Sequence, residues 1–315
     1  MLTKPPKLPV GEKTWKYLSP ADLRKFKNLL FAARIIVEGA FSGRHKSPYK
    51  GSASEFIDYR QYFPGDEMRT IDWKAYARTD RFFIKLFQTE TDMNTYLLVD
   101  RSASMAYGGP AFKNILPNPG VSKLEYACYL AAALTFCMVK QGDRVGMTVF
   151  DDRVSAHIPP GGTFGHLYKV LTLLEKLRPG RKTSISKALR DMFPMFKRRG
   201  LLIVISDFID DPAEVFRALN MYRHRRFEVI LFHVLHAHEF ELPPLDSIHF
   251  VDAEDGQSIT ASPKEIQAAY AAEMKSFVDT MRSMARARNM EYNFLNTETP
   301  YHAAMQKYLM YRSAV

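Results

Sequence analysis

The chain reads as an α/β fold: a mostly parallel sheet of Rossmann type with helices on both faces, preceded by a small N-terminal subdomain. Three observations predict it. From residue 94 onward, apolar runs without alternation (Tyr96–Val99, Leu201–Ile205, Phe227–Leu235) are separated by helical patterns. Strands that are apolar on both faces belong in parallel sheets covered by helices. The stretch 122–140 is apolar nearly all round a helix (Leu124, Ala127, Leu130, Leu134, Cys137, Met138), which places it inside the fold. The length of 315 residues, 46% of them hydrophobic and 25% charged, suits one large domain with an appended subdomain and a sizeable core.

Residues 1–20 are rich in Lys and Pro and read as an extended lead-in. Ser19-Pro20 with Asp22 opens a helix with proline in its first turn. Its apolar positions Leu23, Phe26, Leu29, Leu30, Ala33 and Ile36 recur at helical spacing, and Gly39 ends it. Between 40 and 92 Gly, Arg, aromatic and acidic residues mix, and Ser54–Tyr62, Met68–Trp73 and Arg81–Thr89 read as short strands or turns. Residues 1–92 therefore form the predicted N-terminal part and 93–315 the main domain. In the main domain, Ser122 with Glu125 three residues later is a capping-box pair opening a helix to Lys140. Strands Val145–Phe150 and Val154–Ile158 follow, then helices Phe164–Leu177 and Ile185–Phe196. After strand Leu201–Ile205, Asp211-Pro212 caps a helix to Tyr222, with Glu214 completing the cap. Strands Phe227–Leu235 and Ile248–Val251, a long amphipathic helix Pro263–Arg288, strand Glu291–Leu295 and helix Tyr301–Arg312 complete the pattern.

The net charge is +10, and residues 1–50 carry eleven Lys and Arg against three acids. Such an arm is a solvated surface or an attraction to an acidic partner or an anionic membrane face. No nucleic-acid recognition module accompanies it, so no nucleic acid is expected as partner. Cys128 and Cys137 lie in the apolar helix and are expected to be reduced and inert, as in the cytosol. No secretory signal opens the chain. Ala127–Val139 is the longest near-apolar run, short of the roughly 20 residues a membrane span needs. A cytoplasmic location is expected.

The sharpest motif is Asp100-Arg101-Ser102-Ala103-Ser104, directly after the buried strand Tyr96–Val99. In open α/β sheets ligands bind at the carboxyl ends of strands. There, one carboxylate and two hydroxyls placed two residues apart can converge on one point, and such hard oxygens suit Mg²⁺ or Mn²⁺ rather than Zn²⁺. Ser206-Asp207 ends a second apolar strand, and Thr183 lies in a loop just before a helix. Five protein oxygens, some acting through water, leave a coordination position that an Asp or Glu of a partner could fill.

Asp100, Ser102, Ser104, Thr183 and Asp207, in that order, resemble the metal-ion-dependent adhesion site of von Willebrand factor A domains. A longer set narrows the likeness: Gly43–Ser47, Ser54-Glu-Phe56, Tyr59-Arg60-Gln-Tyr62, Pro64-Gly65-Asp66, and Arg69, Ile71-Asp72-Trp73-Lys74, Ala77-Arg78. With Lys123, Glu125, Gly142–Gly146 and Ser206-Asp207-Phe208, they resemble the domain-of-unknown-function family 58 over roughly 40–312. The resemblance implies a von Willebrand A-like domain after the signature segment. It also implies a role beside a MoxR-type AAA+ ATPase in assembling or activating other proteins. Many members carry N-terminal membrane helices that this chain lacks. The signature segment itself reads as paired charges over an aromatic layer, or as a partner surface.

Other readings compete. Asp100 after a strand suggests a metal-dependent phosphatase, but such enzymes carry a second Asp where Ser102 stands, so the general acid is missing. A basic binder of nucleic acid or membrane acting through residues 1–50 is a third reading. His233, His236 and His238 could hold zinc or serve as polar groups at a strand end. Asp210 is either a second layer around the metal or a solvated acid. No P-loop, dinucleotide fingerprint or hydrolase motif is present, and no catalytic residues are assigned.

Overall fold

The computed structural model describes residues 15–18, 54–62, 71–89, 94–109, 121–140, 142–180, 184–243, 247–251, 257–303 and 305. The chain divides into two compact units, residues 41–92 and residues 1–40 together with 93–315. The sequence groups 1–40 with the segment that follows. Of that stretch the structure describes residues 15–18, of which Tyr17 and Leu18 are buried in the same apolar cluster as Leu124, Leu130 and Leu134. The Lys16 ammonium also donates to Glu125 (2.6 Å), and its backbone N–H to Glu175 (2.8 Å).

In the smaller unit, β1 (Ser54–Gln61) pairs antiparallel with β2 (Phe83–Thr89), with α1 (Trp73–Thr79) between them in sequence. Of the expected strand or turn Met68–Trp73, only residues 71–73 are described, and Trp73 opens a helix. The cause is Asp72, whose carboxylate accepts the N–H groups of Lys74 (2.9 Å) and Ala75 (3.3 Å) as an N-cap. Tyr76 stacks on Phe82 at 4.5 Å, and Trp73 stands edge-on to both. Trp73 and Phe82 stay exposed, and the side chains of Phe56, Tyr59 and Phe63 lie outside the described ones.

The larger unit runs β3 (Asn94–Asp100), α2 (Lys123–Lys140), β4 (Arg144–Phe150), β5 (Val154–Gly161), α3 (Phe164–Lys176), α4 (Ile185–Met192), β6 (Gly200–Ser206), α5 (Pro212–His224), β7 (Glu228–Leu235), α6 (Ala237–Phe240), β8 (Ile248–Val251), β9 (Ser258–Ala261), α7 (Pro263–Ala287) and β10 (Glu291–Asn296). Six of these strands form one sheet in the order β10-β7-β6-β3-β4-β5. All neighbours are parallel except β4 and β5. Counted along the chain from the β5 edge, the order is 3-2-1-4-5-6, the doubly wound pattern. One face of the sheet is covered by α2 and α3, the other by α4, α5 and α7. Fifteen of the eighteen residues of α2 are buried, as its all-round apolarity requires.

Local chemistry explains where elements start and stop. Ser122 and Glu125 form the reciprocal cap of α2 (3.1 and 3.4 Å). Asp211 caps α5 through the Ala213 N–H (2.9 Å). Glu214 does not complete that cap but pairs with Arg190 (3.1 Å) and Arg217. The helix expected over Ile185–Phe196 ends at Met192 and tightens into a 3₁₀ turn at Phe193–Met195, where Pro194 lacks the N–H an α-helix would use. β5 is longer than expected and carries Pro159 and Pro160 at the sheet edge, where a missing donor is tolerated. β8 pairs with β9 in a separate hairpin. The helix after Ser19 lies outside the described residues, as does most of Tyr301–Arg312. No helix among the described residues is long and apolar enough to cross a membrane.

Candidate functional site

The sheet order puts the site in place. β3 and β6 are adjacent, and the chain leaves them toward opposite faces, into α2 and α5 respectively. The crevice at the carboxyl ends of such a strand pair is where doubly wound sheets bind ligands. Asp100 is the last residue of β3, and Ser206 the last of β6.

Asp100 is 1% exposed. Its Oδ1 accepts the Ser102 N–H (2.8 Å) and its Oδ2 the Ser206 hydroxyl (2.6 Å), so the carboxylate is fixed from both strands. Ser102 and Ser104 turn their hydroxyls together, 3.0 Å apart. Asp207 is equally buried, and the Ser104 hydroxyl hydrogen-bonds to it. Asp100, Ser102, Ser104 and Asp207 therefore come together; Thr183 lies outside the described residues. Burial, and then the charge of Asp207, push the Asp100 carboxyl up to about 7. Burial alone would raise Asp207 too, but the Lys123 ammonium overcomes it and holds Asp207 below the ordinary range.

The turn after β6 is shaped by strain. Phe208 is fully buried yet has φ of 51°, the left-handed region that bulky residues avoid. Its N–H donates to Ser206 Oγ (2.9 Å) and its ring packs on His233. The same turn leaves Ile209 56% exposed beside the crevice. Asp210 is half-buried: its carboxylate accepts the Ser186 N–H (3.0 Å) and the Ser184 hydroxyl (3.4 Å), fastening the start of α4 to this loop.

Sequence reasoning missed several members of the site. Lys123, the first residue of α2, has no solvent exposure; its Nζ donates to Asp207 Oδ2 (2.7 Å) and Glu239 Oε1 (2.6 Å). The family resemblance includes Lys123 without giving it a role, and a lysine in a helix's first turn, opposing the helix dipole, was a second signal. Glu239, on α6, gave none. Arg101 grips Asp151, at the end of β4, through Nε (2.9 Å) and Nη2 (2.6 Å), and its carbonyl accepts the Gly180 N–H (2.6 Å). A Cβ at Gly180 would collide with Asp151 Oδ2, so this close approach needs glycine.

The three histidines have other work. His233 is buried, with Nδ1 on the Tyr292 hydroxyl (2.6 Å), and His236 caps α6 by accepting the His238 N–H (3.1 Å). Among the described residues no three His, Cys, Asp or Glu side chains gather as a metal site. The donor set at the crevice is of another kind, two carboxylates and two hydroxyls. It fits a hard cation: adjacent ligands of an octahedral Mg²⁺ at its usual bond length stand about 3 Å apart, which is the Ser102–Ser104 spacing.

Among known proteins, uncharacterized proteins of Mycobacterium bovis and Mycobacterium tuberculosis are 28% identical over 223 residues, 70% of this chain and 67% of each relative. The fold is similar to an aerotolerance-related membrane protein from Bacteroides fragilis (18% identity, TM-score 0.46, covering 71% of this chain and 100% of that one). It is also similar to the hypothetical protein BatB from Bacteroides thetaiotaomicron (18%, TM-score 0.43, 71% and 100%), and to the VWA domain of SpRpn10 (10%, TM-score 0.40, 69% and 94%). The family model described as protein of unknown function DUF58 matches residues 58–277. That match runs through the Asp72 helix cap, the crevice and Lys123, and by it the chain belongs to the DUF58 family.

Proposed function

We propose that this chain is a protein-interaction module that grips an acidic group of a partner through Mg²⁺ or Mn²⁺, held by Asp100, Ser102, Ser104 and Asp207 and joined by Thr183. The observation that carries the reading is the convergence, at the switch point of the sheet, of one fixed carboxylate, a second buried carboxylate and two hydroxyls at cis-ligand spacing. The ion would supply a hard positive centre with one position left for a partner's Asp or Glu. The protein's own part is to position. Ser206 and the Ser102 N–H clamp Asp100, while the strained Phe208 turn aims Asp207 inward and Ile209 outward. Ile209 gives the contact an apolar component beside the charged one. Thr183 adjoins Ser184, whose hydroxyl is tied to Asp210 on the same loop as Asp207. Binding rather than catalysis is favoured because Ser102 stands where a phosphatase would need its second carboxylate. The partner proposed is a MoxR-type AAA+ ATPase, or a client protein delivered to it. Titration calorimetry with MgCl₂ and MnCl₂ tests the metal, and capture of the ATPase with and without EDTA tests the partner. Asp100→Ala should abolish both while circular dichroism stays native. Unchanged Mg²⁺ affinity in that variant would overturn the proposal.

A further inference from the structure

The crevice that gathers Asp100 and Asp207 already contains a positive charge. Lys123 is wholly buried, and a buried ammonium persists only where carboxylates surround it. Its Nζ lies 2.7 Å from Asp207 Oδ2 and 2.6 Å from Glu239 Oε1. Glu239 is in turn held by the His236 N–H on its other oxygen (3.0 Å). One oxygen of Asp207 is therefore committed to lysine, leaving Oδ1, which accepts a long bond from the Ile209 N–H (3.4 Å), and the Asp100 carboxylate for any second cation.

We infer that Lys123 is a resident cation that sets how tightly and how selectively the crevice takes a divalent ion, and that Glu239 tunes it by offsetting part of its charge. The inference rests on the metal reading above and deepens it. Two consequences follow from the charge balance. With Lys123 in place Asp207 does not depend on a metal for neutralisation, so that part of the site is sound without one and the ion can come and go. And with one Asp207 oxygen withdrawn, too few protein oxygens remain for Ca²⁺, which takes six to eight, whereas Mg²⁺ keeps several waters and tolerates the shortage.

The test uses the full chain, with MgCl₂ and CaCl₂ as probes in calorimetry and thermal unfolding in metal or EDTA. Lys123→Met should bind Mg²⁺ about tenfold tighter or more, since a like charge beside the ion is gone. It should also accept Ca²⁺ and gain more melting temperature from metal than the parent does. Glu239→Gln, nearly isosteric, should bind Mg²⁺ about tenfold more weakly, because Lys123 then repels unopposed. Opposite shifts cannot come from general loosening. A folded Lys123→Met that binds Mg²⁺ no tighter than the parent, or two variants shifting the same way, overturns the inference. Should Lys123→Met not fold, Glu239→Gln decides alone, and unchanged or tighter binding there overturns it. A parent that binds no divalent ion beside a Lys123→Met that does would sink the metal reading and leave Lys123 as the site's own cation. Metal binding in the parent with neither variant altered would do the reverse.

Discussion

Inside the larger unit an imidazole sits where water cannot share its charge. His233 on β7 is wholly buried, and the rings of Phe208, Phe277, Tyr292 and Phe294 stand around it. Burial pushes its pKa down to about 4. The unfolded chain takes up the proton near 6.5, so the stabilising effect of a neutral His233 is complete above that pH and is lost as pH falls from 6.5 toward 4. Below 4 no further loss comes from this group. The expected cost of acidification is about 3 kcal/mol. It should appear as a fall in urea midpoint between pH 7 and pH 4 that shrinks in His233→Gln. At the same scale Cys128 and Cys137 are buried thiols whose pKa values burial pushes up to about 12, which explains why neither should react.

Elements are joined by a few polar bonds that close otherwise apolar contacts. The Tyr222 hydroxyl, on α5, donates to the Leu189 carbonyl of α4 (2.7 Å), and the ring is fully buried against Phe193 and Phe196. Tyr222→Phe keeps the packing but removes that hydrogen bond, so it should cost about 0.5–1.5 kcal/mol, measurable by urea denaturation. Much at this scale was legible beforehand. The Ser122–Glu125 box, the burial of α2 and the Asp211 cap each follow from residues within one or two turns of one another. The α6 turn, the β8–β9 hairpin and the role of Glu214 were not legible, because tertiary partners decide them. Lys123 is the instructive case: its neighbours in sequence predict a buried helix, while its two carboxylates arrive from a loop and from α6, each more than eighty residues away.

At the scale of the molecule, the central strand carries the risk. Leu98 on β3 is wholly buried, with β4 on one side and β6 on the other. Leu98→Ala should cost about 2–5 kcal/mol, a large share of the roughly 5–15 kcal/mol that holds a domain folded, and lower the melting temperature by several degrees. Gly200 shows how closely those strands pack: any side chain there would meet the Asn94 backbone. Periodicity revealed the strands but not their neighbours, and Asp100 and Asp207 meet only because β3 and β6 lie side by side. Asp100 and Asp207 stand out as candidates because each comes at the end of a buried strand, a purely local clue.

The outermost strand on one side is β5, and Pro159 and Pro160 sit within it. Two consecutive residues there can offer no amide hydrogen to an incoming chain, and the register to β4 slips at that point. In a crowded solution, a second molecule therefore finds no continuous ladder to zip onto along that flank. The proposed recognition site lies at the carboxyl ends of β3 and β6, where it offers hydroxyls and carboxylates rather than bare backbone.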